Sequence, residues 1–259
     1  MQTPLPSKRK IATRIIKYAL LLIFIALHFT ATAQNTWTKK AYFRGTARSG
    51  AVAFSIGTRG YIGTGFDQNQ LYRKDFWQYN TLNNTWTQKA DFGGPERYDA
   101  TGFSIGNKGY IGTGYGNSNY YNDFWEYDPA TNSWTQKASF GGTPRRGSVG
   151  FAINQKGYIG TGIDGSFNYL KDFWEYNPAI DSWTQKADFG GAARWGAAGF
   201  AIGNKGYIGT GLDFTFTHTN DFWEYKPATD TWQQKASFGG TARLSAVGFG
   251  MGARGYIGT

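Results

Sequence analysis

The chain has 259 residues, no cysteine, 37 glycines, and 10 tryptophans, 17 tyrosines and 20 phenylalanines against only 17% charged residues. Such a composition excludes a disulfide framework, a zinc ribbon and a thiol nucleophile, and the aromatic content excludes a disordered chain. Two histidines, His28 and His218, leave almost nothing for imidazole-based catalysis or a histidine metal cluster.

Residues 1–33 read as an address. Lys8, Arg9, Lys10, Arg14 and Lys17 precede a short apolar run from Tyr18 to Phe29, and Ala31-Thr-Ala33 closes the segment. Basic head, apolar core and Ala-x-Ala site are the parts of a secretory signal. The run is shorter than the ~20 residues a span needs, so cleavage near Ala33 is expected. The product would be secreted, periplasmic or at the cell surface, with no membrane span. Removing those five basic residues from 27 leaves 22 against 17 acids, a net charge of about +5. The basic density that nucleic-acid binding requires is then gone.

The remainder repeats. Trp37, Trp86, Trp134, Trp183 and Trp232 are spaced 49, 48, 49 and 49 residues apart, and Tyr61, Tyr110, Tyr158, Tyr207 and Tyr256, each opening Tyr-Ile-Gly-Thr, keep the same spacings. Trp77, Trp125, Trp174 and Trp223 lie in Asp-Phe-Trp-x-Tyr, always nine residues before the first series, and Arg48, Arg97, Arg145, Arg194 and Arg243 always follow that series by eleven. Each unit predicts four strands. In the first unit they are a Gly/Ala-rich strand at 50–56, one at 60–65, Asp75–Tyr79 and Thr85–Ala90. Turns such as Asp128-Pro-Ala-Thr-Asn132 separate the third and fourth. A unit of this size cannot bury both faces alone, whereas copies stacked around an axis can. The expected fold is all-β, a propeller of four-stranded blades. The small residues of the first strand suit the crowded axis, and the repeated Trp and Phe fill the space between blades.

The pattern resembles the kelch repeat family. Arg97, Gly112 with Gly114, Trp125 with Tyr127, and Trp134 stand where kelch repeats place an arginine, paired glycines, an aromatic-Tyr pair and a tryptophan. Gly-Thr-Gly replaces the family's adjacent Gly-Gly, and the flanking glycines are expected to permit the turn. The expected units are a part-blade at 35–47, full repeats at 48–96, 97–144, 145–193 and 194–242, and a partial repeat at 243–259. The part-blade supplies a fourth strand around Trp37. The ends together lack a third strand, so a longer protein is expected.

Residues identical in every unit hold the fold, and residues that vary at a matched position can write a binding face. The variable places are the loop between strands two and three and the residue after each repeated arginine: Ser49, Tyr98, Arg146, Trp195 and Leu244. In kelch propellers both open onto one end of the central channel. The resemblance therefore implies that Tyr98, Arg146 and Trp195, with Phe66 and Tyr115, rim one pocket for a protein or glycan ligand. The repeated arginines themselves are expected to bond backbone carbonyls. Asp67, Asp164 and Asp213 give one acid per loop, too few for calcium, so no metal or cofactor is expected. Glu126, Glu175 and Glu224 read as solvated strand positions.

Copper radical galactose oxidases share the resemblance, but their chemistry needs a cysteine, which this chain lacks, and two histidine ligands, of which only His218 would remain after cleavage. The expected function is a non-enzymatic binding or adhesion module. The alternative is a carbohydrate-active propeller of the sialic-acid mutarotase type, for which Glu96 and Asp99 are the available acid–base groups.

Overall fold

The computed structural model describes residues 37–258, which are strands, turns and loops with no helix. The leader and its cleavage site lie outside the described residues. Two compact units are distinguished, 1–40 and 41–259.

The second unit carries four antiparallel four-stranded sheets arranged as a β-propeller. Blade I comprises Val52–Ile56, Arg59–Gly63, Phe76–Asn80 and Thr85–Lys89. Blade II comprises Thr101–Ile105, Lys108–Gly112, Phe124–Asp128 and Ser133–Lys137, and blade III Val149–Ile153, Lys156–Gly160, Phe173–Asn177 and Ser182–Lys186. Blade IV runs Ala198–Ile202, Lys205–Gly209, Phe222–Lys226 and Thr231–Lys235. Every sheet is a meander in sequence order. Val247–Met251 pairs with Arg254–Gly258 as a fifth, two-stranded hairpin.

Blades interlock through a phenylalanine and a glycine. A Cβ on Gly157 would stand 2.5 Å from the Phe103 ring of the preceding blade. Gly109 stands in the same relation to Phe54 at 2.4 Å, and Gly206 to Phe151 at 2.4 Å. Only a residue without a side chain admits the ring. Further out, Phe124 meets Tyr176 and Trp183 of the next blade edge-on at 4.8 and 5.0 Å. The outer tryptophans also bind the previous blade's linker: Trp183 Nε1 donates to Ala138 O at 3.0 Å, while Ala138 N donates to Asp181 Oδ1 at 3.0 Å. Burial of these rings, at about 150–250 Å² each, is the main source of stability.

The fourth strand expected around Trp37 does not form. Residues 37–47 contain no strand, and Trp37 is fully exposed. An outer strand needs a third-strand neighbour for its ladder, and the sequence places none beside it. Ala41 and Phe43 instead cap blade I. Trp86 Nε1 donates to Ala41 O at 3.1 Å, and Phe43 sets its edge against Trp86 at 5.2 Å.

The Gly-Thr-Gly segment turns at its second glycine as expected, with φ of 105, 100, 102 and 105° at Gly65, Gly114, Gly162 and Gly211. The threonines themselves adopt left-handed backbone, with φ of 60, 61, 61 and 62° at Thr64, Thr113, Thr161 and Thr210. A β-branched residue is disfavoured there. All four are wholly buried, and the hydroxyls of Thr64 and Thr161 lack a partner. The glutamates are not merely solvated either. Glu126 accepts from Tyr110 OH and Glu175 from Tyr158 OH, both at 2.6 Å, and Glu224 is buried against Tyr207 OH.

Candidate functional site: an aromatic and arginine rim

The repeated arginines are structural. Arg97, Arg145 and Arg194 are buried. Arg145 donates to Thr161 O at 3.0 Å and Thr143 O at 3.0 Å, as expected of a carbonyl binder. It also forms a two-pronged pair with Asp172 and lies 4.9 Å above Phe140. The loop acids are structural as well. Asp164 Oδ1 accepts from Ser166 N and Asn168 N, both at 2.9 Å. Asp213 Oδ1 accepts from Thr215 N and Thr217 N, and Asp67 binds Arg73 together with two loop N–H groups. No group of three or more metal-ligating side chains occurs among the described residues.

The two variable places lie on the same end of the unit. Arg145–Arg146 pairs with Ile163–Asp164, Arg194–Trp195 with Leu212–Asp213, and Tyr98 bridges Tyr115. Just after each variable residue the chain turns left-handed, at Gly50, Asp99, Gly147, Gly196 and Ser245. Those five residues form a belt of backbone hydrogen bonds from blade to blade. Asp99 N donates to Gly50 O, Gly147 N to Asp99 O and Gly196 N to Gly147 O, all at 2.9 Å, and Ser245 N to Gly196 O at 2.8 Å. The belt holds the variable side chains at the mouth of the central channel. Below it Ala51, Ala100, Ser148, Ala197 and Ala246 line an open pocket of about 180 Å³. Ligand pockets usually occupy ~300–1,000 Å³, so this pocket is small for a ligand.

All five residues singled out in the sequence meet in one partly exposed cluster. The Arg146 guanidinium lies 5.4 Å from the Tyr98 ring, 5.7 Å from Tyr115 and 5.2 Å from Trp195. Phe66 reaches the cluster through Tyr98, with ring centroids 5.9 Å apart. Arg146 Nη1 donates to Tyr98 OH and stands 3.6 Å from Asp99 Oδ2, while its Nε is buried without a partner. Burial pushes the Asp99 carboxyl above its ordinary value, against the opposing pull of Arg146. Burial likewise raises the Tyr98 hydroxyl.

Tyr72 and Tyr120 belong to the cluster and were not singled out. Tyr72 stacks on Tyr98 at 5.8 Å, and Tyr120 meets Tyr115 at 4.8 Å. Both stand five residues before the tryptophan of Asp-Phe-Trp, where the other units have Tyr169 and His218, so a recurring ring at that place was the signal that could have found them. Glu96, the other acid offered for catalysis, points away and accepts from Asn117 Nδ2 at 2.9 Å. At the junction of blades II and III five positions depart together from the residues of the other units: Tyr98, Asp99, Thr101, Arg146 and Ser148. Thr101 Oγ1 and Ser148 Oγ are 2.6 Å apart in the channel wall.

Fold and rim define a β-propeller with one individualised end. The chain belongs to the kelch-repeat family: residues 22–192, well over half its length, match the KLHDC2/KLHL20/DRC7 Kelch-repeats domain. Among solved structures, that titled "Structure of YjhT" is similar with a TM-score of 0.67 at 18% identity, covering 78% of this chain and 69% of that one. At that identity the likeness is one of fold. No curated protein matches the chain in sequence.

Proposed function

We propose that this kelch propeller is an exported, non-enzymatic binding module that takes a protein or glycan ligand on the rim at blades I–IV. The observation that carries the reading is Arg146 set among Tyr98, Tyr115 and Trp195, with Phe66 and Tyr72 extending the aromatic surface. Aromatic rings and arginine are the side chains that most often dominate binding energy. Rings flanking a guanidinium present both a stacking face and a directional donor. The leader pattern in residues 1–33 supports export.

The test is a panel of immobilised oligosaccharides and peptides probed with the purified protein. Combined Trp195→Ala and Arg146→Ala should weaken the strongest binder at least about tenfold with folding intact. Binding untouched by both substitutions would exclude this rim. One observation favours a second reading, a carbohydrate-active propeller of the sialic-acid mutarotase type. The Asp99 carboxyl, raised by burial and adjacent to Arg146, has the character of an acid–base group. Proton NMR would then show anomer exchange of a sialic acid above the buffer rate, and Asp99→Asn would abolish it.

A further inference from the structure

The loops of blades III and IV carry a feature that the rim does not use. Phe167 and Phe216 stand at the third position after Asp164 and Asp213, at the loop tips, with φ of 62 and 59°. Left-handed backbone is costly for a bulky residue, and asparagine or glycine would suit the site better. Blade I has Gln70 at the equivalent place, and the shorter loop of blade II uses Asn117 and Ser118. Phe167 and Phe216 are 70% and 76% exposed, and Phe214 beside them is 60% exposed. The fold gains little from rings so placed. They are nonetheless displayed rigidly. The Asp164 and Asp213 carboxylates each accept two backbone N–H groups of the loop, and Phe167 N and Phe216 N donate to Asp164 O and Asp213 O at 3.0 Å.

We propose that these loop tips insert into a lipid surface. The grading of side chains across the loops is that of a membrane interface. Phenylalanine, with no polar atom, occupies the tips. Tyrosine and tryptophan, each with a polar end, lie behind: Tyr169 meets Phe216 at 6.0 Å, and Trp195 pairs in register with Leu212 at the base of the same loop. Amphipathic rings are favoured at headgroup depth. Lys171 is exposed at the foot of the blade III loop, 3.9 Å from Asp188, whereas Asp164 and Asp213 spend their carboxylates on the loops' own N–H groups. The loop carboxylates therefore present little free negative charge to repel anionic headgroups. Tips on separate loops need no matching pocket when the medium is fluid. No helix among the described residues is long and apolar enough to cross a membrane.

The absence of native cysteine allows a local test on the full chain. A polarity-sensitive dye is attached at Ser166→Cys, beside Phe167, and separately at Ala228→Cys, on the third-to-fourth-strand turn at the other end of blade IV. Vesicles of phosphatidylcholine and phosphatidylglycerol should blue-shift the first label and leave the second unchanged. Phe167→Asn with Phe216→Asn should weaken that response about tenfold or more while raising the melting temperature, because asparagine relieves the backbone. Equal shifts at both labels would place lipid contact elsewhere, for instance at the apolar leader, and overturn the proposal. So would a Ser166→Cys label that does not respond, or a response that survives the double substitution. A higher melting temperature without any lipid response would assign the tips to a protein partner instead.

Discussion

Arg145 and Asp172 meet through two parallel hydrogen bonds, Nη1 to Oδ1 at 2.6 Å and Nη2 to Oδ2 at 2.7 Å, with the guanidinium wholly buried. Trp174 Nε1 donates to the same carboxylate at 2.8 Å. Removing Asp172 strands a buried guanidinium, and removing Arg145 leaves a partly exposed carboxylate and an emptied space beside Phe140. Arg145→Ala is expected to cost about 3–5 kcal/mol, measured as a fall in the denaturation midpoint. Arg145→Lys recovers little of it, since an ammonium cannot form the fork.

The same motif makes the fold acid-sensitive. Burial alone would raise the carboxyls of Asp75, Asp172 and Asp221. The hydrogen bonds of Arg48, Arg145 and Arg194, with their charges and the Trp indoles, outweigh it and hold all three below the ordinary value. A depressed carboxyl contributes stability that is present above its unfolded value, near pH 4, and lost as pH falls through the folded value. Urea midpoints should therefore hold from pH 7 to about pH 5 and drop steeply below about pH 4. A midpoint unchanged at pH 3 would contradict this.

Asp99 has the opposite sign. Its carboxyl is raised by burial, so ionisation costs stability at neutral pH, and the cost vanishes once pH falls below the unfolded value. Asp99→Gly restores the residue found at Gly50, Gly147 and Gly196 and suits the left-handed φ of 51°. It should raise stability at pH 7 by up to about 1 kcal/mol, with no gain from charge removal near pH 3.

Thr161 is a position where substitution should help. Left-handed backbone costs a β-branched residue roughly 1–2 kcal/mol, and its hydroxyl is buried without a partner. Thr161→Gly removes both terms and gives up one buried methyl and some unfolded-state entropy. A net gain of about 0.5–1 kcal/mol is expected by thermal melting. A loss of stability would mean that the methyl's packing outweighs the strain.

At the interlock between blades II and III the reverse holds. Gly157→Ala drives a Cβ into the buried Phe103 ring and should cost about 1–3 kcal/mol. Phe103→Leu in the same chain should cost less than it does alone, because the two substitutions share one space. Additive costs would show that the ring can move aside.

The four-stranded unit, its register and the five rim residues were legible because repetition separates two kinds of information. What recurs holds the blade, as Trp134 and Tyr110 do, and what varies at a matched position is free for recognition, as at Tyr98, Arg146 and Trp195. Repetition hid other things. The aspartate opening Asp-Phe-Trp-x-Tyr was visible in every unit, yet nothing in sequence distance links Asp172 to Arg145. The strain at Thr161 is a backbone angle, which composition does not reveal. Tyr72 and Tyr120 stand where a ring recurs, yet they join the cluster only through ring contacts between loops. The strand expected at Trp37 failed because matching a motif does not supply the neighbour its ladder needs.

The hydrogen-bonded belt at the channel mouth is made of main chain alone, and each link uses a donor and an acceptor that every amino acid except proline provides. The side chain one place before each link can change without loosening the link. A duplicated blade thus arrives with its position at the mouth already built and its identity unassigned. The place one before each link is therefore one where all five units differ, holding Ser49, Tyr98, Arg146, Trp195 and Leu244 on the same backbone frame.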